Sequence, residues 1–124
     1  MLSTAPIRAY IPARDVARAR KFYERTVGLT PKEEYAGGVI YECGGTEVFM
    51  YPTGNAGTSQ ASQAFWQVDD VEAEVAELKA RGVVFEEYAM PGIETKNSIA
   101  AGGYAKTAWF KDTEGNILAI SQRL

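Results

Sequence analysis

The chain reads as an α+β protein built from two tandem βαβββ units. Two observations point there. An apolar-striped helix opened by aspartate and closed by glycine occurs twice, from Asp15 to Gly28 and from Asp69-Asp70 to Gly82, each preceded by an alternating strand. The tetrapeptide Glu33-Glu34-Tyr35-Ala36 also returns as Glu86-Glu87-Tyr88-Ala89, 53 residues further on, while the helix openings at Asp15 and Asp70 are 55 apart. A unit with one helix and about four strands buries too little by itself, so two paired units complete a core.

Taken in order, residues 6–12 alternate Ile7, Ala9 and Ile11 with Arg8 and Tyr10, the pattern of a strand. Asp15 is placed to cap a helix whose face carries Val16, Ala19, Phe22, Tyr23 and Val27, and Gly28 supplies the left-handed residue that ends it. Strands follow near 30–35, 38–43 and 46–51, with Gly44-Gly45 marking a hairpin. In the second unit, residues 63–68 alternate, and Val71, Val75 and Leu78 share a helix face. Asp69 with Glu72 has capping-box spacing. Gly45 matches Gly115 at an offset of 70, so the second unit carries an insertion, residues 90–103. The units are expected at about 5–52 and 62–122 of a single domain spanning 1–124.

At 124 residues, 46% of them hydrophobic and 23% charged, the chain is long enough for one core without disulfide or structural metal. It contains no histidine, which removes Ser-His-Asp and Cys-His nucleophile systems, an imidazole base and imidazole metal sites. Cys43 is the single cysteine, read as a small apolar residue within a strand. A net charge of −3 argues against nucleic acid as a partner. No signal-peptide pattern and no run approaching ~20 apolar residues is present, so the expectation is a cytoplasmic protein without membrane association.

Four segments together resemble the vicinal-oxygen-chelate superfamily, the glyoxalase, bleomycin-resistance and extradiol-dioxygenase group. They are the strand running into Asp15-Val16, the helix end KFYERTVGL at 21–29, the strand into VDDV at 68–71, and FKDTEGNILAISQ at 110–122, with Thr113 where the family turn has proline. The resemblance implies a curved mixed-sheet cup with the helices outside it, and four metal-ligand positions within the cup. Seven residues before Asp15 and Asp70 these fall on Arg8 and Gln63, and seven after Asp112 on Ala119, whose repeat mate is Phe49. None of the four suits a hard or borderline divalent cation, so neither metal nor other cofactor is expected.

Alternation then gives the cup lining. With those four positions inward, Tyr10, Glu47, Tyr51 and Phe65 share their face, and the offset of 70 adds Tyr41 and Trp109. The opposite faces are uniformly apolar, as a helix-covered face should be. Arg8, Tyr10, Tyr41, Glu47, Phe49, Tyr51, Gln63, Phe65, Trp109 and Ala119 are thus the candidate ligand-binding residues, with no catalytic residue among them. An aromatic concavity with a few polar handles suits a flat aromatic or anionic organic molecule. The alternative is that these aromatics fill the cup or a dimer interface, and a dry cup would then need a carboxylate such as Glu47 to pair Arg8. The expectation is a metal-free binding protein, similar to the bleomycin-resistance proteins in being a homodimer that sequesters its ligand. The second reading is a glyoxalase-related lyase, isomerase or dioxygenase-like enzyme with Glu47 as base. The loop 52–62 and the insertion 90–103 are expected at the rim.

Overall fold

A computed structural model describes residues 1–124. The chain divides into two compact units, Met1–Ala56 and Gly57–Leu124. Each is an open four-stranded mixed sheet with one helix against one face.

After a short turn at Leu2–Thr4, the first unit runs β1 (Ala9–Ala13), α1 (Val16–Lys21), β2 (Thr30–Tyr35), β3 (Gly38–Cys43) and β4 (Thr46–Pro52). The strand order is β1-β4-β3-β2, parallel between β1 and β4 and antiparallel elsewhere. Asp15 caps α1 as expected, its carboxylate accepting from the Arg18 N–H at 3.0 Å. Over Phe22–Val27 the helix widens to π geometry and ends at Gly28, whose φ of 89° only glycine adopts freely. Ala19 and Tyr23 of the helix are buried, as are Ile11, Val39, Tyr41 and Met50 of the sheet, and the Tyr23 ring lies 6.3 Å from that of Tyr41.

The second unit repeats this order: β5 (Ala64–Gln67), α2 (Val71–Ala80), β6 (Ala89–Met90), β7 (Ile93–Glu94), β8 (Ala100–Ala101), β9 (Ala105–Lys111) and β10 (Ile117–Arg123). Its sheet order, β5-β10-β9-β8, repeats that of the first. The helix cap is Asp70, which accepts from the Ala73 N–H at 3.1 Å. Asp69 therefore lies one residue outside the cap, and the Asp69–Glu72 capping box does not form. The Gln122 side-chain oxygen accepts instead from the Val71 N–H, tying the helix start to β10. Val71, Val75 and Leu78 are buried, above a core in which Phe110 stacks on Trp66 at 6.2 Å and meets Phe85 edge-on at 5.6 Å.

The two units differ at the strand beside β9. In the first unit β2 stays paired with β3 from Thr30 to Tyr35, with one register shift between Pro31 and Glu33. In the second, Phe85 pairs with Phe110 and the Glu86 N–H donates to the Trp109 carbonyl, after which the chain leaves the sheet and returns only as β8 beside Thr107 and Lys106. The departure spans 87–99, beginning and ending earlier than the 90–103 read from the repeat offset. It is built as two hairpins: β6 and β7 joined through Pro91-Gly92, and a tight turn in which Asn97 and Ser98 both have positive φ.

The turn between β9 and β10 is fixed by buried polar groups. Asp112 Oδ1 accepts from the backbone N–H of Glu114 and of Asn116, both at 2.9 Å, and Oδ2 accepts from the Asn116 amide at 2.8 Å. The Asn116 side-chain oxygen accepts in turn from the Gly57 N–H at 3.1 Å. A Cβ at Gly57 would collide with the Glu114 carbonyl, so the approach requires glycine.

Candidate functional site

Two aromatic sheet faces hold most of the candidate residues, one in each unit. In the first unit the β1–β4 register sets Tyr10 beside Phe49 and Pro12 beside Tyr51, on the face away from α1. The Tyr10 and Tyr51 rings meet edge-on at 4.9 Å, and Tyr35 stands edge-on to Phe49 at 5.6 Å. Arg8 Nε lies 3.6 Å from Glu47 Oε1, while Lys32 Nζ reaches Glu47 at 2.7 Å and Glu42 at 3.2 Å. Both cations on this face are therefore balanced by carboxylates. The hydrogen bond from Lys32, and after burial is offset the charges of Lys32 and Arg8, hold the Glu47 carboxyl below its ordinary value. That makes Glu47 a weak base at neutral pH.

Five of the candidates, Arg8, Tyr10, Glu47, Phe49 and Tyr51, come together on this face. Tyr41 does not. It is fully buried beneath α1, 6.3 Å from the Tyr23 ring, and its hydroxyl donates to Glu24 Oε2 at 2.8 Å. The reason lies in the turns. Glu42 pairs with Glu47 in the first unit and Lys111 with Ile117 in the second, so the second connection holds one residue more. The offset of 70 that relates the last strands falls to 69 for the strands before them, and a slip of one residue inverts every side chain. Ile40, not Val39, takes the position equivalent to Trp109, and Tyr41 turns to the helix side.

Glu24 is the centre of a buried-edge network on that helix side. Burial raises its pKa, but hydrogen bonds from Arg20 Nε at 2.6 Å and from Tyr41 outweigh this and leave it below the ordinary carboxylate value. Burial, then the hydrogen bond to Glu24, pushes the Tyr41 phenol well above its usual range. Arg20 also donates to Glu34 at 2.8 Å.

In the second unit Phe65, Ala119 and Trp109 are direct neighbours across β5, β10 and β9, on the face away from α2. Phe65 is largely exposed, Ala119 is buried, and Gln63 precedes β5, its N–H donating to the Ile117 carbonyl at 2.9 Å. Trp109 borders an open cavity of about 620 Å³, lined by the hairpin residues 90–94 and by residues 100–105 and 107. Tyr88 stands edge-on to Trp109, centroids 5.4 Å apart at 73°. Beside the indole, the Thr107 and Ser121 hydroxyls share a hydrogen bond of 2.9 Å. Of the ten candidates only Trp109 borders this cavity; Phe65, Gln63 and Ala119 do not.

Residues beside the candidates that sequence reasoning passed over are Tyr35 and Lys32 in the first unit and, in the second, Glu94 and Tyr104 in the cavity lining and Tyr88 against the Trp109 ring. The tyrosines Tyr35 and Tyr88 had a signal. Each is the third residue of the repeated tetrapeptide, and each ring stands edge-on to a neighbouring aromatic.

The model of the Glyoxalase/Bleomycin resistance protein/Dioxygenase superfamily matches residues 5–120. The chain belongs to that superfamily. Among solved structures, a glyoxalase/bleomycin resistance protein/dioxygenase from Alicyclobacillus acidocaldarius is 17% identical, with a TM-score of 0.73 over 98% of this chain and 92% of that one. Lactoylglutathione lyase from Agrobacterium tumefaciens is 18% identical, with a TM-score of 0.67 over 96% and 93%. TnmS3, an antibiotic binding protein from Streptomyces sp. CB03234, is 22% identical, with a TM-score of 0.67 over 94% and 93%. At these identities the likeness extends to the fold. No protein of curated function matches the sequence.

The metal that the superfamily implies does not fit the residues present. A guanidinium, an amide, a phenyl ring and a methyl group stand at Arg8, Gln63, Phe49 and Ala119, and no three His, Cys, Asp or Glu side chains converge anywhere in the chain. No helix is long and apolar enough to cross a membrane.

Proposed function

We propose that this superfamily member is a binding protein that takes a flat organic molecule against Trp109. The supporting observation is the cavity of about 620 Å³ beside that indole, a size within the range of small-molecule sites. Tyr104 supplies further aromatic surface and Thr107 a hydroxyl for orientation, while Tyr88 backs the indole edge-on from outside the lining. The fold likeness to an antibiotic binding protein makes sequestration, and through it resistance, the role that fits such a site. The protein would act stoichiometrically, as a cytoplasmic homodimer, with no metal and no other cofactor. Of the two ligand classes expected from the sequence, the aromatic one is favoured, because Arg8, the basis of the anionic one, is paired with Glu47. That pairing also weighs against the lyase or isomerase reading, since Glu47 was its base.

The test is calorimetric titration of the full chain with metal-free bleomycin, 1-methylnaphthalene and 1-naphthoate. Saturable binding of at least one, weakened about tenfold or more by Trp109→Ala, is expected for a stacked aromatic contact of about 1.4 kcal/mol. Binding of none of them, or binding indifferent to Trp109→Ala, would contradict the proposal.

A further inference from the structure

The charge of the cavity wall narrows the ligand class. Glu94, on β7, is the only charged residue in the lining, and it is exposed and takes part in no ion pair. The lysines of β9 are engaged elsewhere. Lys106 is on the opposite face with its Nζ 2.9 Å from Glu72, and Lys111, two residues beyond Trp109, lies 4.0 Å from Glu86. Lys96 and Lys106 border an adjoining cavity that shares Glu94 and Ala101 with this one, but neither forms an ion pair with Glu94, and within the Trp109 cavity no cation offsets the carboxylate. Trp109 and Tyr104 add the negative faces of two aromatic rings, the electrostatic complement of a cation rather than an anion.

Resting on the cavity being a ligand site, we infer that it selects a cationic aromatic ligand, a flat ring bearing a quaternary or protonated nitrogen. The ring stacks on Trp109 and its charge lies toward Glu94. This departs from the sequence alone, where Arg8 pointed to an anion. The hairpin that carries Glu94 belongs to the departure from the sheet at 87–99, for which the first unit has no counterpart. Selectivity on this reading is a property added to one copy of the repeat.

Isosteres separate charge from shape. 1-Methylquinolinium differs from 1-methylnaphthalene by one ring nitrogen and its positive charge, and 1-naphthoate carries the opposite charge. Titrated calorimetrically into the full chain, 1-methylquinolinium should bind about tenfold more tightly than 1-methylnaphthalene, with 1-naphthoate weakest. Glu94→Gln should reduce the cation's advantage about threefold and leave 1-methylnaphthalene unchanged. Equal binding of the two isosteres, or tighter binding of 1-naphthoate, would overturn the cation inference while leaving the cavity as a site. Failure of all three probes to bind would overturn the cavity reading itself.

Discussion

Tyr88 is locked to Thr95 on both sides of one backbone step: the Tyr88 N–H donates to Thr95 Oγ1 at 2.8 Å, and the Thr95 N–H donates to the Tyr88 carbonyl at 2.9 Å. The pair closes the base of the β6–β7 hairpin and holds the Tyr88 ring against Trp109. A wall fixed before the ligand arrives costs less ordering on binding.

Thr95→Val keeps the shape and removes the hydroxyl, leaving the Tyr88 N–H without that acceptor. Loss of about 1 kcal/mol of preorganisation should weaken binding of 1-methylnaphthalene about fivefold, read by calorimetry. Thr95→Ser, which keeps the hydroxyl, should restore most of it.

The Tyr41–Glu24 hydrogen bond gives the fold an alkaline limit. Folding raises the Tyr41 pKa above its unfolded value of about 10, so the folded state holds its proton more tightly. The stability this contributes is complete below about pH 10 and is lost as pH climbs toward the folded value. Urea unfolding from pH 8 to 11 should show stability falling above about pH 10, and Tyr41→Phe should flatten that fall while costing about 1 kcal/mol at pH 8.

Glu24 acts at the other end of the scale. Its folded pKa lies below the unfolded one, so its contribution is present above about pH 4.5 and disappears as pH falls through the lower folded value. Glu24→Gln should lower stability at pH 7 by about 1–3 kcal/mol, the cost of weakening charged hydrogen bonds to Arg20 and Tyr41. The gap in stability between the wild type and the variant should narrow as pH falls below about 4.5.

How far the sequence reaches is clearest at single residues. Alternation placed Tyr10, Phe49 and Tyr51 on one face and Ile11 and Met50 on the other, because the β1–β4 ladder is regular and period two holds along it. Tyr41 escaped because its face was read across the β3–β4 turn from the second unit, whose β9–β10 turn holds one extra residue before Ile117 and so shifts the repeat offset. The cavity was illegible for a different reason. The jump in repeat offset marked an insertion, but whether residues 87–99 pair with themselves or with the sheet depends on hydrogen bonds such as Tyr88–Thr95, which no periodicity encodes.

The β9–β10 turn supplies a stability check that leaves the cavity untouched. Asp112→Ala strands two backbone N–H groups and the Asn116 amide, all buried, at about 1–3 kcal/mol for each donor not reached by water. Asp112→Asn retains an acceptor and should cost less. Thermal unfolding monitored by circular dichroism would rank wild type above Asp112→Asn and Asp112→Ala lowest.

The chain's two indoles make the site's own reporter. Trp109 borders the cavity, whereas Trp66 lies on the opposite face, stacked on Phe110. In a proton–nitrogen correlation spectrum titrated with 1-methylquinolinium, the Trp109 indole N–H signal should move saturably and the Trp66 signal should stay in place. A saturable shift that leaves Trp109 unmoved, or no shift of either indole at millimolar probe, would show that the cavity beside Trp109 is not where this protein binds.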